Sequence, residues 1–539
     1  MKTYKHFGVM LDCSRNAVMK ASELKNMIDC LQKMGYNCLQ LYTEDTYEVD
    51  GEPFFGYLRG RYTSAELKEI DAYAQSKGVE LIPCIQTLAH LPGIVNHEAY
   101  EQIVDCDDIL LIDEPKTYEL IDKMFASLAN NFTSRLVNIG MDEAHKVGLG
   151  NYMKKHGFPE DRFDLILRHL NKVVEIASKY GFKAHMWSDM FYRLACKGEY
   201  YAQDIPVFGE EILSKIPQDI ELVYWDYYTK DKEYYDKMLA GHANFQRKIW
   251  FAGGAWTWKG FAPFNWLTLR NMKAAMQSVL KSDVEDVFIT MWGDNGKECS
   301  FYSVLPSLYA IRQYAEGNFD ETTIKNGFFE TFHVEFEDFL LLDLPNYTER
   351  KFIGQNGQEV LENPCKSILY SDLFLGRFDY LIEKDTPIPY EEYAEKIKAA
   401  SVRVGDYKYL FDFMAKLCET LAVKLKLGVK TRKAYRDADK QSLEELLKDY
   451  LEFENRLERF HESYYTLWHK ENKGHGWEIQ DARIGGLMQR SKTCRKRLKQ
   501  YISGEIEKIE ELDEEILPYW MDCYYSSNNY STIFTFNIV

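Results

Sequence analysis

Eight short apolar runs, most of them followed by an amphipathic segment, limit more than any other feature what this chain can fold into. They lie at 6–12 (HFGVMLD), 37–43 (NCLQLYT), 79–88 (VELIPCIQTL), 135–141 (RLVNIGM), 182–188 (FKAHMWS), 221–228 (ELVYWDYY), 248–256 (KIWFAGGAW) and 286–292 (DVFITMW). The stretches between them, among them SELKNMIDCLQKMG, AELKEIDAYAQSKG and DLILRHLNKVVEIASKYG, place apolar residues near i, i+3, i+4 and i+7, and glycines close several of them. The segment after the fifth run, GEEILSKIP, is the weakest helix of the set. Buried strands alternating with helices imply parallel, right-handed crossovers. Eight of them within about 300 residues fit an α/β fold closed as a (β/α)8 TIM barrel. An open doubly wound sheet competes, but neither G-x-G-x-x-G after the first strand nor G-x-x-x-x-G-K-[ST] occurs. Beyond residue 320 strand-like runs vanish and long charged helical segments take over. The expected division is a barrel at 1–318 and a mainly α-helical C-terminal domain at 319–539. The tail, YYSSNNYSTIFTFNIV, is β-branched and aromatic and reads as an added strand or hairpin.

Charge and cysteine usage narrow the partners. The formal net charge of −18 makes a field that repels a duplex or a phosphate-rich surface, so no nucleic-acid partner is expected. The basic run RSKTCRKRLKQ (490–500) has helical character and reads as a solvated face. The start, MKTYKHFGVMLDC, reaches Asp12 before any apolar stretch of signal-peptide length, so no secretion signal is expected. Nor does any run of about 18 apolar residues suggest a membrane span. The 11 cysteines form no CxxC pair and sit in apolar contexts. They read as small buried hydrophobes with free thiols, which fits a reducing cytoplasm. The sequons at Asn131, Asn346 and Asn529 then carry little weight. Aromatic residues reach 15%; most serve a core, but Trp and Tyr also supply the flat faces and hydrogen-bonding tips that sugar clefts use.

Catalytic groups of such a barrel sit at the C-terminal ends of its strands. In order, the ends carry Asp12 and Arg15; Glu44 and Asp45; His90; Asp142 and Glu143; Trp187 and Asp189; Tyr224 and Asp226; Trp256 and Trp258; Trp292 and Asp294. Barrel rims are polar in any case, so no one of these is informative alone; the run of carboxylates, cations and indoles on one rim is. Only His90, with His145 nearby, is on offer to a metal, so neither a metal nor a cofactor is expected. There is no G-x-S-x-G elbow and no Cys/His pair at the rim. Carboxylates flanked by indole faces suit glycosidic bond cleavage, where one acid protonates the leaving oxygen and negative charge steadies an oxocarbenium-like centre.

The stretch NIGMDEAH (138–145) resembles the [HN]-x-G-x-D-E signature that family 20 glycoside hydrolases, the β-N-acetylhexosaminidases, carry after barrel strand four. GVMLDCSR (8–15) resembles the family's R-G-x-x-x-D-x-S-R and keeps its last arginine as Arg15. YTED (42–45) is similar to V-D-D after strand two, and TLAHLPG (87–93) loosely to the P-G-H segment after strand three. MWSD (186–189), YWD (224–226) and MWGD (291–294) resemble the W-x-[DE], Y-x-D and W-x-E elements. The resemblance spans roughly residues 1–315. It implies an exo-β-N-acetylhexosaminidase that removes terminal β-linked N-acetylglucosamine or N-acetylgalactosamine from an oligosaccharide or glycoconjugate. The implied mechanism is retaining and substrate-assisted, the 2-acetamido oxygen attacking the anomeric carbon to form an oxazoline.

Site roles follow from the same resemblance. Glu143 would be the general acid and later the base, with its carboxyl raised so that it is protonated near neutrality. Asp142 would accept the acetamido N–H, and Tyr224 would donate to the acetamido oxygen. Arg15 would bind O3 and O4 through its planar fork. Trp187, Trp292 and Trp258 would wall the pocket, with core packing left open for Trp256 and Trp258. Asp226 and Asp294 would bind outer hydroxyls, and His90 with either Glu44 or Asp45 would form a hydrogen-bond chain behind Glu143. Adjacent strand residues point to opposite faces, so Asp142 and Glu143 can converge only where the strand breaks, and the two glycines of AHKVGLG are compatible with a break. A helix cap is the bland reading of the pair. Asp294 departs from the family's glutamate by one methylene, which puts its contact with O4 or O6 in doubt. Two further readings stay open: another barrel glycosidase pairing Glu143 with Asp226 or Asp294, and a non-catalytic sugar-binding barrel. The helical region would cover barrel surface or build a homodimer interface.

Overall fold

Eight parallel strands close on themselves in the computed structural model, which describes residues 2–159, 161–202, 204–348, 352–353, 359–384, 387–518, 523–524 and 529–537. They are β1 (His6–Asp12), β2 (Cys38–Tyr42), β3 (Glu80–Cys84), β4 (Leu136–Asn138), β5 (Lys183–Trp187), β6 (Glu221–Trp225), β7 (Ile249–Gly254) and β8 (Asp286–Met291). Strand order around the barrel follows the chain, and β1 closes it against β8 in the register His6↔Asp286 to Leu11↔Met291. Several strands are shorter than their apolar runs. β3 stops at Cys84, β4 at Asn138 and β6 at Trp225, and β3 meets β4 through the single pair Cys84↔Asn138. The remaining apolar residues of those runs belong to loops that carry the rim.

The interior is filled by Met10, Cys38, Tyr42, Ile82, Cys84, Trp187, Val223, Trp250, Ala252 and Phe288. Because side chains alternate along a strand, inward Val223 fixes Leu222 and Tyr224 as outward residues between sheet and helices. Trp250 is sandwiched between His6 and His185, with ring centroids 5.2 and 4.6 Å away and planes within 12°. Its indole N–H donates to Glu221 at 2.6 Å. The N-terminal mouth is closed by charge pairs, His6 and Lys248 on Asp286 and Lys183 on Glu221.

The connecting helices form as their periodicity predicts. Helix α1 (Ala21–Lys33) buries Leu24, Met27, Ile28 and Leu31, the i, i+3, i+4, i+7 stripe. Helix α2 (Ser64–Ser76) starts at a capping box in which Thr63 and Glu66 bond each other's backbone. Helices α3 (Pro115–Asn131) and α4 (Arg162–Lys179) follow. After β5 the chain makes a short helix, α5 (Asp189–Ala195), that the sequence reading did not anticipate; GEEILSKIP supplies only one turn, Glu210–Leu213. Helix α6 (Lys232–Ala243) packs outside β6, where its His242 meets the Tyr224 ring at 4.7 Å. A small hairpin, Val104–Cys106 with Ile109–Leu110, interrupts the connection between β3 and β4.

The chain divides into two compact units. The first comprises Met1–Ala255, Leu267–Trp292 and Ser307–Ile324; the second comprises Trp256–Trp266, Gly293–Pro306 and Lys325–Val539. The second unit is mainly helical, built on α7 (Tyr390–Ser401), α8 (Lys408–Arg436), α9 (Lys440–Glu471) and α10 (Trp477–Ser503). Its strands among the described residues are the two-residue pair Phe352–Ile353 and Glu359–Val360. The basic run at 490–500 lies on α10 and is less solvated than expected. Arg490 bonds Asp372 at 2.6 Å and Arg495 bonds Glu454 at 2.9 Å, so acidic groups of the same unit take up much of its charge. The tail is not a strand where it is described: Asn529 caps a short helix, Tyr530–Phe534, and 525–528 and 538–539 lie outside the described residues. All eleven cysteines are free thiols, and among the described residues no helix is long and apolar enough to cross a membrane.

The stacked Trp250 is the largest ring at the base of the barrel. Trp250→Ala is expected to lower the barrel's urea midpoint by an amount equivalent to about 3–5 kcal/mol. An unchanged midpoint would show that the His6–Trp250–His185 stack does not support the barrel.

Candidate active site

The break that lets Asp142 and Glu143 converge lies just after β4. The strand stops at Asn138, whose side-chain oxygen accepts the Gly140 N–H at 2.9 Å. The backbone then takes positive φ at Gly140 (73°), Met141 (69°) and Glu143 (50°). Two of these are not glycine, a conformation that costs of order 1–3 kcal/mol each and persists only where the surroundings hold it. Gln86 holds the first of them, its side-chain oxygen accepting the Met141 N–H at 3.2 Å, and Asp189 holds the second, accepting the Glu143 N–H at 3.3 Å. A Cβ on Gly140 would lie 2.0 Å from the Gln86 oxygen, so only glycine fits. The two glycines of AHKVGLG serve a different end from the one expected. They let the following loop lie on the hairpin: Gly148 N–H donates to Asp105 at 2.6 Å, and a Cβ on Gly150 would be 2.1 Å from the Asp105 carbonyl oxygen.

His90 stands between the two carboxylates, its Nε2 at 3.3 Å from Asp142 and 3.8 Å from Glu143. Asp142 is mostly enclosed, while the Glu143 side chain is 41% exposed, open to an incoming molecule. Gln86 Nε2 donates to Asp142 Oδ1 at 2.7 Å and to the Tyr42 hydroxyl at 3.0 Å. Tyr42 in turn donates to Glu44 at 3.0 Å, and Arg15 Nε donates to the same oxygen at 3.1 Å. A continuous line of hydrogen bonds thus joins Arg15 to Asp142. Arg15 itself is set by Asp12, whose carboxylate accepts the N–H groups of Ser14 and Arg15. The expected chain from His90 to Glu44 or Asp45 is not formed: Glu44 is turned to Arg15 and Tyr42, and Asp45 pairs with Arg59 at 3.0 Å. The carboxylate nearest the far side of the imidazole is Asp108, 3.9 Å from Nδ1 and bonded to the His90 N–H at 3.2 Å. On its other flank Glu143 meets Arg193 at 3.2 Å, and Arg193 bonds the buried Asp189 at 2.8 Å. Asp108 and Arg193 were missed because each lies in a loop or short helix whose course the apolar pattern does not reveal, and Gln86 because the apolar run 79–88 takes it for a strand residue although β3 stops at Cys84.

Indoles and tyrosines wall this region. Trp187 lies 6.1 Å from Trp292, and Trp292 meets Tyr42 edge-on at 4.8 Å. Two expectations at the sixth strand fail, Tyr224 through side-chain alternation and Asp226 through the turn that follows the strand. Tyr224 faces outward and is fully buried against His242 and Phe251, so it is not brought to the carboxylate pair. Asp226 is also fully buried, and its carboxylate accepts the N–H groups of Tyr228 and Thr229 at 3.0 Å and the Tyr224 hydroxyl at 3.1 Å, closing a turn rather than facing a ligand. Inward-facing Trp225 instead stacks on Tyr227 at 5.3 Å, and the Tyr227 side chain lies near Trp292 and Thr290. Tyr227 is therefore the tyrosine of this segment on the pocket wall. Trp258 and Asp294 belong to the second unit, where Trp258 stacks on Trp256 at 4.4 Å and Asp294 lies near Lys259. Among the described residues no cluster of three or more His, Cys, Asp or Glu is placed to hold a metal ion.

The charges are unevenly poised. Burial opposes a positive His90, but the facing Asp142 outweighs it and raises the imidazole to about 9. Burial likewise pushes the Asp142 carboxyl up, and His90 with Gln86 overcomes this and holds it below the usual range. Asp189 moves the other way, raised by burial and by the nearby Asp142 against the pull of Arg193. An unfolded histidine titrates near 6.5. The folded value is higher, so the stability His90 contributes is fully present below about pH 6.5 and is lost as pH rises through about 9. NMR of the imidazole is expected to show His90 titrating near 9 and moving down in Asp142→Asn. The wild-type melting temperature should fall more than that of His90→Gln between those limits; parallel curves would mean the pair is not formed.

Residues 4–242 match the glycosyl hydrolase family 20 catalytic-domain model, and 337–529 match that of the glycoside hydrolase 20C C-terminal domain. Hexosaminidase D of Bos taurus is 25% identical over 258 residues, covering 46% of this chain and 69% of that protein. Hexosaminidase D of Homo sapiens is 25% identical over 238 residues, covering 42% of this chain and 45% of the relative. The solved exo-β-N-acetylglucosaminidase of Vibrio harveyi, in complex with N-acetylglucosamine, aligns with a TM-score of 0.48 and 16% identity, over 64% of this chain and 59% of that one. The two family matches agree and cover both parts of the sequence: the chain belongs to glycosyl hydrolase family 20.

Proposed function

We propose that this chain is an exo-β-N-acetylhexosaminidase that releases terminal β-linked N-acetylglucosamine or N-acetylgalactosamine by a retaining, substrate-assisted mechanism. The observation that carries the reading is the convergence of an enclosed Asp142 and a half-exposed Glu143 on His90 at a strand break. Two carboxylates so differently exposed are suited to different tasks. Glu143 donates a proton to the glycosidic oxygen and later takes one from water. Asp142, kept ionised by His90 and aimed by Gln86, accepts the acetamido N–H and stabilises the positive oxazolinium. The acetamido carbonyl oxygen then closes on the anomeric carbon while the aglycone leaves.

Tyr227 replaces Tyr224 as the donor to the acetamido oxygen, since it lies on the wall made by Trp225 and Trp292. Trp187 and Trp292 supply the apolar faces of the acetamido pocket. Arg15, aligned by Glu44, is the group for the sugar's O3 and O4.

Nitrophenol release from the β-N-acetylglucosaminide tests the assignment. Glu143→Gln is expected to lower kcat by about 10²–10⁴-fold; a variant with wild-type rates would remove Glu143 from the chemistry. Of the two tyrosines, Tyr227→Phe should cost about 10²-fold in kcat, whereas Tyr224→Phe should leave turnover nearly unchanged. The reverse ranking would return the role to Tyr224.

A further inference from the structure

Arg193 is not part of any motif that the sequence displays, yet it touches the proposed acid directly. It lies on α5, one turn after Asp189, and that spacing sets both side chains on one helix face. Asp189 is fully buried, and one of its oxygens accepts both the Arg193 Nε–H at 2.8 Å and the Glu143 backbone N–H at 3.3 Å. Arg193 Nη2 then reaches Glu143 Oε1 at 3.2 Å, Nη1 donates to the Gly198 carbonyl at 3.3 Å, and the guanidinium lies 5.6 Å from the centre of the Tyr200 ring. All three nitrogens are engaged, so the planar fork is fixed. One buried carboxylate therefore steadies Glu143 at both ends, its backbone directly and its carboxyl through Arg193.

A neutral carboxylic acid has one oxygen that accepts and one that carries the proton, and a guanidinium only donates. With Arg193 on Oε1, the proton belongs on Oε2, the oxygen facing His90 at 3.8 Å. We infer that Arg193 is a positioning residue for the general acid, reserving Oε1 as the acceptor and Oε2 as the proton donor. In the step it serves, the Oε2 proton moves to the glycosidic oxygen as the C1–O bond breaks, with the bonding electron pair staying on that oxygen. Glu143 is left as a carboxylate still held by Arg193, ready to take a proton from water. The inference rests on the reading of Glu143 as the acid.

The test is the dependence of kcat/KM on the leaving group. Dinitrophenolate departs with little help from a proton, whereas the sugar of a β-linked N-acetylglucosamine disaccharide needs full protonation. Arg193→Met should lose about 100-fold on the disaccharide and at most about 3-fold on the dinitrophenyl substrate, the pattern of weakened general acid catalysis. The double variant Arg193→Met, Asp189→Asn, which leaves no lone buried carboxylate, should show the same graded loss and guards against a folding defect. A uniform loss across leaving groups, or none, in both variants overturns the positioning role while leaving the hexosaminidase reading intact. Failure of the wild type to cleave any substrate of the series overturns both.

Discussion

A strand continued past Asn138 would send Asp142 and Glu143 to opposite faces of the sheet, and the whole site depends on the turn that prevents this. That turn places two non-glycine residues at positive φ, a conformation the chain does not keep unaided. Gln86 pins it with both ends of one amide. The oxygen accepts the Met141 N–H, and the nitrogen donates to Asp142 and Tyr42. The bond from Met141 also decides which end of the amide is which, so the carboxylate of Asp142 always meets a donor. Gly140 is what allows Gln86 to come so close. A single side chain from the loop after β3 thereby sets backbone strain, carboxylate direction and, through Tyr42 and Glu44, the alignment of Arg15.

Electrostatics then divides the labour between neighbours in sequence. His90, held positive well above its ordinary range, lies closer to Asp142 than to Glu143 and keeps Asp142 an anion. Glu143 is gripped on the opposite flank by Arg193, which Asp189 orients from beneath. Asp142 is thus held as a fixed negative charge, while the Glu143 side chain keeps its access to solvent. That division suits the mechanism proposed above, in which the nucleophile comes from the substrate and the protein supplies one proton and one steady negative charge.

Much of this was legible in the amino-acid sequence, for physical reasons that differ from residue to residue. The eight strands announce themselves because a barrel buries both faces of each strand, leaving unbroken apolar runs. The Asp142–Glu143 pair stood out through its place after the fourth run and its resemblance to a family signature. Tyr224 was misread because a spacing match cannot tell which face of a strand a residue takes; Val223, packed inside, sends Tyr224 outward and leaves Tyr227 on the wall. Asp226 was misread because a carboxylate at a strand end closes a turn as readily as it binds a hydroxyl. Asp108 and Arg193 carry no pattern at all, and Gln86 sits inside the third apolar run, where it reads as one more strand residue. Their importance arises from loop paths and from a seven-residue helix, set by tertiary contacts that no local periodicity encodes.

In the proposed mechanism the substrate's own acetamido oxygen is the nucleophile at the anomeric carbon, with Asp142 as its positioner. The most direct measurement is kcat/KM across aryl glycosides whose N-acetyl group carries none, one, two or three fluorines. Fluorine withdraws electron density from the attacking oxygen, so the predicted result is a steep, monotonic fall with each substitution. A flat series would put the nucleophile on the protein and contradict the mechanism.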